Sequence, residues 1–242
     1  VTAIDPLAES DRVWSGDPDG PRIAVLDYGI GNLRSAEKAF EHVGASAILT
    51  ADAAEVASAD GVVLPGVGAF GRCREALADS GLDQVALDAV ASGRPFLGIC
   101  VGMQLLYEGS EESPGVAGLG VLSGTVRRLP AGVKHPQMQW NQLDLVTESP
   151  LFEGLGERPW MYFVHSFAAD RTQDTIATCD YGGPVTAAAA RENVMATQFH
   201  PEKSGAAGLR LLSNFLAVVD RSRHDADGRD RGGVVGSGAG DR

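Results

Sequence analysis

The run Arg94-Pro95-Phe96-Leu97-Gly98-Ile99-Cys100-Val101-Gly102 constrains the fold of this chain more than any other stretch. Its apolar part does not alternate, which reads as a strand covered on both faces, as in a parallel sheet. Met103-Gln104-Leu105-Leu106-Tyr107 follows with the composition of a helix. Between strand and helix stands a thiol with glycine on both sides. A turn this tight forces its apex residue into a strained backbone conformation that only glycine-sized neighbours accommodate. The sulfur is then expected at the mouth of a sheet, beside the amino end of a helix, where the helix dipole and free N–H groups favour thiolate over thiol. A Gly-x-Cys-x-Gly match alone also occurs in buried structural turns. The strand–turn–helix context is what favours a nucleophile.

The same alternation runs through the first half of the chain. Arg22–Asp27 reads as a strand, about 32–43 as a helix, Ala47–Leu49 and Gly61–Leu64 as strands, and about 69–78 and 82–92 as helices. From Leu122 to Phe199 the pattern changes to strands and turns: 125–129, 142–146, 161–164, 175–179, 186–190 and 194–199. A last helix, about 206–218, closes the pattern. The fold class expected is α/β: a mostly parallel central sheet flanked by helices, with an added antiparallel section. One domain is expected over residues 21–220. Residues 1–20 and 221–242, rich in Gly, Asp, Pro and Arg, offer too little apolar surface to offset ordering entropy and are expected as disordered extensions.

A net charge of −12 argues against a general nucleic-acid binder, which needs a basic face for phosphates. No apolar run approaches the roughly 20 residues of a membrane helix. Residues 1–6 show neither a basic start nor an apolar core, so a cytoplasmic location is expected. Cys73, Cys100 and Cys179 are sparse, odd in number and without metal-like spacing, which fits free thiols in a reducing compartment. Cys73 and Cys179 read as buried structural thiols. No metal and no cofactor are expected.

A catalytic thiolate needs a base and something to orient it. His200-Pro201-Glu202 offers both, because Glu202 lies close enough in sequence to bond one ring nitrogen while the other faces the thiol. A lone histidine after a strand is more often structural, and His42, His135, His165 and His224 lack such a pairing. Leu64-Pro65-Gly66-Val67-Gly68-Ala69-Phe70 ends a strand and begins a helix. An N–H there, at Val67, together with that of Val101 could form an oxyanion hole. Without the cysteine it would pass for an ordinary glycine-rich turn. It lacks the phosphate-loop pattern, and Gly29-Ile30-Gly31-Asn32 only faintly echoes a dinucleotide loop.

Taken together, the elbow cysteine, the Pro-Gly-Val-Gly turn and Phe199-His200-Pro201-Glu202-Lys203-Ser204 resemble the class I (triad) glutamine amidotransferases. More narrowly, the chain resembles the glutaminase subunits of imidazole glycerol phosphate synthase. Leu26–Leu33, Pro65–Phe70, Leu97–Leu106, Tyr162–Ser166 and Gln198–Ser204 carry the likeness, in that order, over about residues 22–218. The resemblance implies that Cys100 attacks the side-chain amide of glutamine, His200 passes protons and Glu202 orients His200. It also implies that Gly66, Gln104, Glu112, Ser166 and Phe167 line the glutamine pocket. Glu112 would pair with the substrate ammonium, although it also reads as one of several solvated acids. The implied partner is a (β/α)8-barrel cyclase, or synthase, subunit in a heterodimer, which receives the ammonia through a channel. Asn32, Trp140, Tyr162 and Lys203 match positions at that interface, Lys203 as an intersubunit salt bridge.

One stretch departs from the family pattern, which is typically Pro-His-Met-Gly-Trp-Asn. Here it reads Pro136-Gln137-Met138-Gln139-Trp140-Asn141. Both glutamines are expected near the partner-facing surface, compensated by the partner or marking a paralogue that serves a different synthase. Two further readings stand beside these: another hydrolase on a similar elbow, such as a cysteine peptidase, and a non-catalytic regulatory subunit.

Overall fold

Apolar strands alternate with one-sided helices from Arg22 to Leu105, and that alternation builds the core of the molecule. The structure, a computed structural model, describes residues 15–31 and 33–232. Its first half contains Ser15–Gly16 (β1), Arg22–Leu26 (β2), Leu33–His42 (α1), Ser46–Thr50 (β3) and Ala53–Ser58 (α2). Gly61–Gly66 (β4), Phe70–Asp79 (α3), Leu82–Ala91 (α4), Phe96–Cys100 (β5) and Val101–Leu105 (α5) follow. The second half holds Gly109–Ser110 (β6), Thr125–Arg128 (β7), Gln137–Gln142 (β8), Asp144–Leu145 (β9) and Trp160–His165 (β10). Phe167–Ala169 (β11), Thr175–Asp180 (β12), Pro184–Arg191 (β13), Val194–Thr197 (β14) and Gly205–Gly232 (α6) complete it.

Nine strands form the central sheet in the order β1-β3-β2-β4-β5-β14-β13-β12-β9. The block β3-β2-β4-β5-β14 is parallel, and β13, β12 and β9 extend it antiparallel. β5 sits in the middle, buried at every position from Phe96 to Cys100, which is why its sequence does not alternate. The helices cover the faces through short apolar stripes. α1 turns Leu33, Ala36, Ala39 and Phe40 inward, and Phe40 meets Phe215 of α6 edge-to-face at 5.9 Å. Arg94, on the approach to β5, donates to the carbonyls of Val56, Ala57 and Ala59 at the open end of α2.

The expected antiparallel section is real but divided. Besides β13, β12 and β9 it contains a separate pair, β8 with β10, and a three-stranded sheet, β11-β7-β6. The strand expected over 142–146 is split between two sheets, because β8 ends at Gln142 and Leu143 turns into the core before β9. Four short elements go beyond the sequence expectation: β1, α2, β6 and β11. β1 pairs Ser15 and Gly16 with Ala47 and Ser46, inside the segment 1–20 expected as an extension. α2 is capped by Asp52, whose carboxylate accepts from the N–H of Ala54 and Glu55. The last helix overruns its expected end near Val218. The buried stripe Leu211, Leu212, Phe215, Leu216, Val219 stops there, yet α6 continues to Gly232, with Arg223 paired to Asp60 at 3.6 Å. Part of the segment expected as a C-terminal tail is therefore helical; residues 1–14 and 233–242 lie outside the described residues. No helix among the described residues is long and apolar enough to cross a membrane.

Candidate active site

Three neighbouring parallel strands end together at the carboxyl edge of the sheet, and each delivers one part of the site. β4 ends at Gly66, β5 at Cys100, and the chain leaving β14 reaches His200. Gly66 and Cys100 are paired in register, and Ala196 and Thr197 of β14 pair with Gly98 and Ile99. Ligands of open α/β sheets bind outside this edge.

Cys100 has φ 56° and ψ −112°, a backbone conformation rare for any residue but glycine. The strain persists because the surroundings leave no alternative. A Cβ on Gly102 would lie 1.8 Å from Leu64 O, and one on Gly98 would lie 2.8 Å from the Leu106 side chain and 3.0 Å from Met103 Cα. Both glycines let α5 press onto β4 and β5, and that pressure fixes the elbow. Val101 opens α5, so its N–H has no acceptor within the helix.

His200 is buried and begins a single 3-10 turn, Pro201–Lys203. Its Nδ1 lies 2.7 Å from Glu202 Oε1, while its buried Nε2 has no hydrogen-bond partner of good geometry among the described residues. Burial alone would lower the pKa of this imidazole. Cys100 and Glu202 outweigh burial and raise it to about 9. The ring is thus a cation at neutral pH, with one edge on a carboxylate and the other left for the thiol. The His200 backbone is held by β10: its N–H donates to Tyr162 O at 3.0 Å, and Ser204 Oγ donates to His200 O at 2.6 Å.

A cavity of about 250 Å³ opens between these strand ends and the two small sheets, with Val67, Cys100, Gln104, Glu112, Ser166, Phe167 and His200 in its wall. Neither Val67 nor Gly68 has an N–H donating to another group among the described residues. A more open depression of about 650 Å³ runs along Leu145–Glu153 and shares no residue with this cavity. It is shallower in chemistry as well as form, holding no thiol and no imidazole.

The sequence of this chain matches the class-I glutamine amidotransferase family over residues 24–219. The chain belongs to that family. It is 50% identical over 198 residues to the imidazole glycerol phosphate synthase subunit HisH of Methanothermobacter thermautotrophicus, covering 81% of this chain and 98% of the relative. It is 51% identical over 205 residues to the subunit of the same name from Synechococcus elongatus, covering 82% and 94%. A solved glutamine amidotransferase shares the fold at a TM-score of 0.66, with 22% identity over 82% of this chain and 98% of that one. PurLQS from Thermotoga maritima does so at 0.64, with 20% identity, covering 83% and 99%.

Within the amidotransferase the expected residues fall into three groups. Cys100, His200, Glu202, Val67, Val101, Gln104, Glu112, Ser166 and Phe167 are brought together at or directly beside the cavity. Gly66 is close but does not line it. A Cβ there would meet Tyr28 Oη at 2.6 Å and Gly102 N at 2.9 Å, so Gly66 is a spacer, and Tyr28 donates to the adjacent Pro65 O at 2.7 Å. Glu112 is not a solvated acid. Its Oε2 accepts the Phe70 N–H at 2.7 Å, and Ser113 Oγ accepts that of Gly71 at 3.0 Å, so the pair caps α3, whose own cap residue Ala69 has no polar side chain.

Trp140 and Tyr162 lie away from the cavity on the outer face of the β8–β10 pair, edge-to-face at 6.0 Å, and Lys203 is exposed. Asn32 lies outside the described residues. One expectation needs correction. Gln137 does not face outward: it is fully buried, while Gln139 is exposed. The His165 ring meets a carboxamide and a carbonyl, Gln137 and Phe167 O, and no carboxylate among the described residues. Met161, Phe163 and His165 alternate with less buried residues along β10, the period-two pattern of a strand with one buried face. Gln198, within the Gln198–Ser204 motif, belongs to the site as well. It is buried, its Oε1 accepts from Gln104 at 3.0 Å, and its Nε2 lies 3.8 Å from Cys100 Sγ.

Proposed function

We propose that this amidotransferase is the glutaminase subunit of an imidazole glycerol phosphate synthase, with Cys100, His200 and Glu202 as its triad. The observation that carries the reading is the strained Cys100 at the end of β5 beside a Glu202-bound His200 at the end of the neighbouring strand. Cys100 thiolate attacks the carboxamide carbon of glutamine, and the developing oxyanion is met by the N–H groups of Val67 and Val101. His200 gives its proton to the departing nitrogen, and ammonia leaves behind a glutamyl thioester. Neutral His200 then takes a proton from water as it attacks, and glutamate departs with the thiol restored. Glu202 holds the imidazole in one orientation and stabilises its charged form.

Gln104 supplies the polar end of the pocket. Its amide hydrogens are engaged by Phe167 O and Gln198 Oε1, so its own carbonyl is what remains to accept from a ligand ammonium. Glu112 adds the opposite charge, and Ser166 with Phe167 forms the rim.

The ammonia passes by a channel to a (β/α)8-barrel cyclase subunit, which uses it in the lyase reaction of histidine biosynthesis in the cytoplasm. The barrel docks on the β8–β10 face at Trp140 and Tyr162, with Lys203 at its edge, and the family likeness adds Asn32 to the interface. Exposed Met138 and Trp160 extend the same apolar surface, a composition suited to the core of an interface. This face bears on catalysis because the Tyr162 backbone accepts the His200 N–H and donates to Ser204 Oγ. Residues 21–220 act as the amidotransferase domain. Glutamate release from glutamine, assayed with and without a barrel synthase, tests the reading. Turnover that rises in the complex is expected; no turnover under either condition sinks it.

A further inference from the structure

Gln137 and His165 face each other across β8 and β10 on the buried side of the pair. His165 Nδ1 lies 2.8 Å from Phe167 O, an atom that can only accept, so Nδ1 carries a hydrogen. Gln137 Oε1 lies 2.9 Å from Nε2 and Gln137 Nε2 lies 3.9 Å from Cys179 Sγ; a half-turn of the carboxamide exchanges its two ends without moving any other group. Two states fit these positions. Either the ring is an imidazolium donating at both nitrogens, or it is neutral and Nε2 accepts from the Gln137 NH2.

The surroundings decide between them. His165 is buried, and His200, already a cation, shares the cavity wall with it. Burial and the charge of His200 hold the His165 pKa down at about 4, even though the Phe167 carbonyl pulls the other way. With the ring neutral, a Gln137 oxygen toward Nε2 would set lone pair against lone pair. The opposite orientation of the carboxamide satisfies every group, because its oxygen then faces Cys179. Burial pushes that thiol up to about 11, so it keeps the hydrogen it donates. After that half-turn the order of donation would run Cys179 to Gln137, Gln137 to His165, and His165 to Phe167 O, where Gln104 Nε2 donates at 3.0 Å.

We propose that Gln137 is a positioning residue for glutamine hydrolysis: its amide N–H holds His165 as the neutral Nδ1–H tautomer, which fixes the Phe167 carbonyl at the pocket rim and leaves His200 the cavity's sole imidazolium. A second cation at His165 would repel the substrate ammonium and compete with His200 for the thiolate. The titratable groups that face His165 are His200, Cys100 and Glu112 around the cavity and Cys179 behind Gln137. Gln137 thus acts through His165, without touching substrate.

Two measurements on the full chain, assembled with a barrel synthase, test this. Nitrogen NMR of labelled histidine reads the ring directly, and a neutral His165 protonated at Nδ1 is expected at pH 7. In Gln137→Glu, a carboxylate of the same shape can only accept, so His165 is expected to become an imidazolium. Glutamine KM is then expected to rise about tenfold, and the alkaline limb of the glutaminase profile to move to lower pH, with ammonium-driven synthesis unchanged. Gln137→Met, which can neither donate nor accept, is expected to lower activity without charging the ring. A charged or Nε2–H His165 in the unaltered chain overturns the proposal, and so does a folded Gln137→Glu with unchanged KM, kcat and pH profile. The kinetic arm rests on the glutaminase reading. The ring's tautomer does not, so a wild-type chain that fails to turn over glutamine would sink that reading while the NMR still decides this one.

Discussion

Glu202 touches only the far side of His200, so replacing it separates orientation and charge from the nucleophile itself. Glu202→Gln keeps the shape and the burial but removes the carboxylate at 2.7 Å. Since Cys100 and Glu202 together raise His200 against burial, losing one lets the imidazole fall from about 9 toward neutrality. The alkaline limb of kcat/KM for glutamine is therefore expected to shift to lower pH, with kcat down by a factor of about 10² to 10⁴, the order seen when the carboxylate of a triad is made neutral. An unchanged pH profile would mean Glu202 has no hold on the base. At this scale the sequence was eloquent about Cys100, because the glycines on both sides are what its strained backbone demands. It did not show that Glu112 caps a helix or that Gln137 turns inward. A carboxylate capping a helix 42 residues back in the sequence, or a glutamine turned inward to a histidine on another strand, leaves no local pattern to read.

Elements were legible in proportion to their regularity. β2, β4 and β5 announced themselves as unbroken apolar runs because both faces are covered, and α1 by its spaced stripe. The second half was harder. Its strands divide among three sheets, and the choice of partner depends on contacts far apart in sequence, as when Leu143 separates β8 from β9. α2 was too short to show a period although Asp52 capped it. Helix α5 owes its place to Gly102, whose substitution by alanine would drive a carbon to within 1.8 Å of Leu64 O. Gly102→Ala is expected to lower unfolding free energy by about 3 kcal/mol or more, read from urea melts; a wild-type midpoint would contradict the packing described for the elbow. For the β8–β10 pair the corresponding change is Trp140→Ala. It removes an exposed aromatic and is expected to leave the melting temperature of the free chain nearly unchanged. Binding to the barrel synthase should weaken by about 2 kcal/mol, roughly thirtyfold in Kd, in titration calorimetry. Equal affinity would move the docking face elsewhere.

Across the whole molecule the two buried histidines set opposite limits on pH stability. His165 is held down at about 4 in the fold and is near 6.5 when unfolded. Its neutral burial costs nothing above pH 6.5, and stability falls by on the order of 3 kcal/mol as pH drops from there through 4. His200 is raised to about 9, so its stabilisation is complete below pH 6.5 and is lost as pH rises through 9. Thermal melts across pH 4 to 10 are expected to peak near neutrality, and the acid flank should shrink in a His165→Asn variant. An acid flank unchanged by that substitution would assign it to other groups. The proposal for the whole molecule is that the carboxyl edge of the central sheet joins a strained thiol to its base while the adjoining β8–β10 pair docks a second subunit, so that hydrolysis serves synthesis there. Its most direct test is Cys100→Ala in the complex with the barrel synthase, assayed once with glutamine and once with ammonium ion. Synthesis from glutamine should disappear while synthesis from ammonium proceeds at the wild-type rate. If both persist, or both are lost, Cys100 is not the nucleophile that supplies the ammonia.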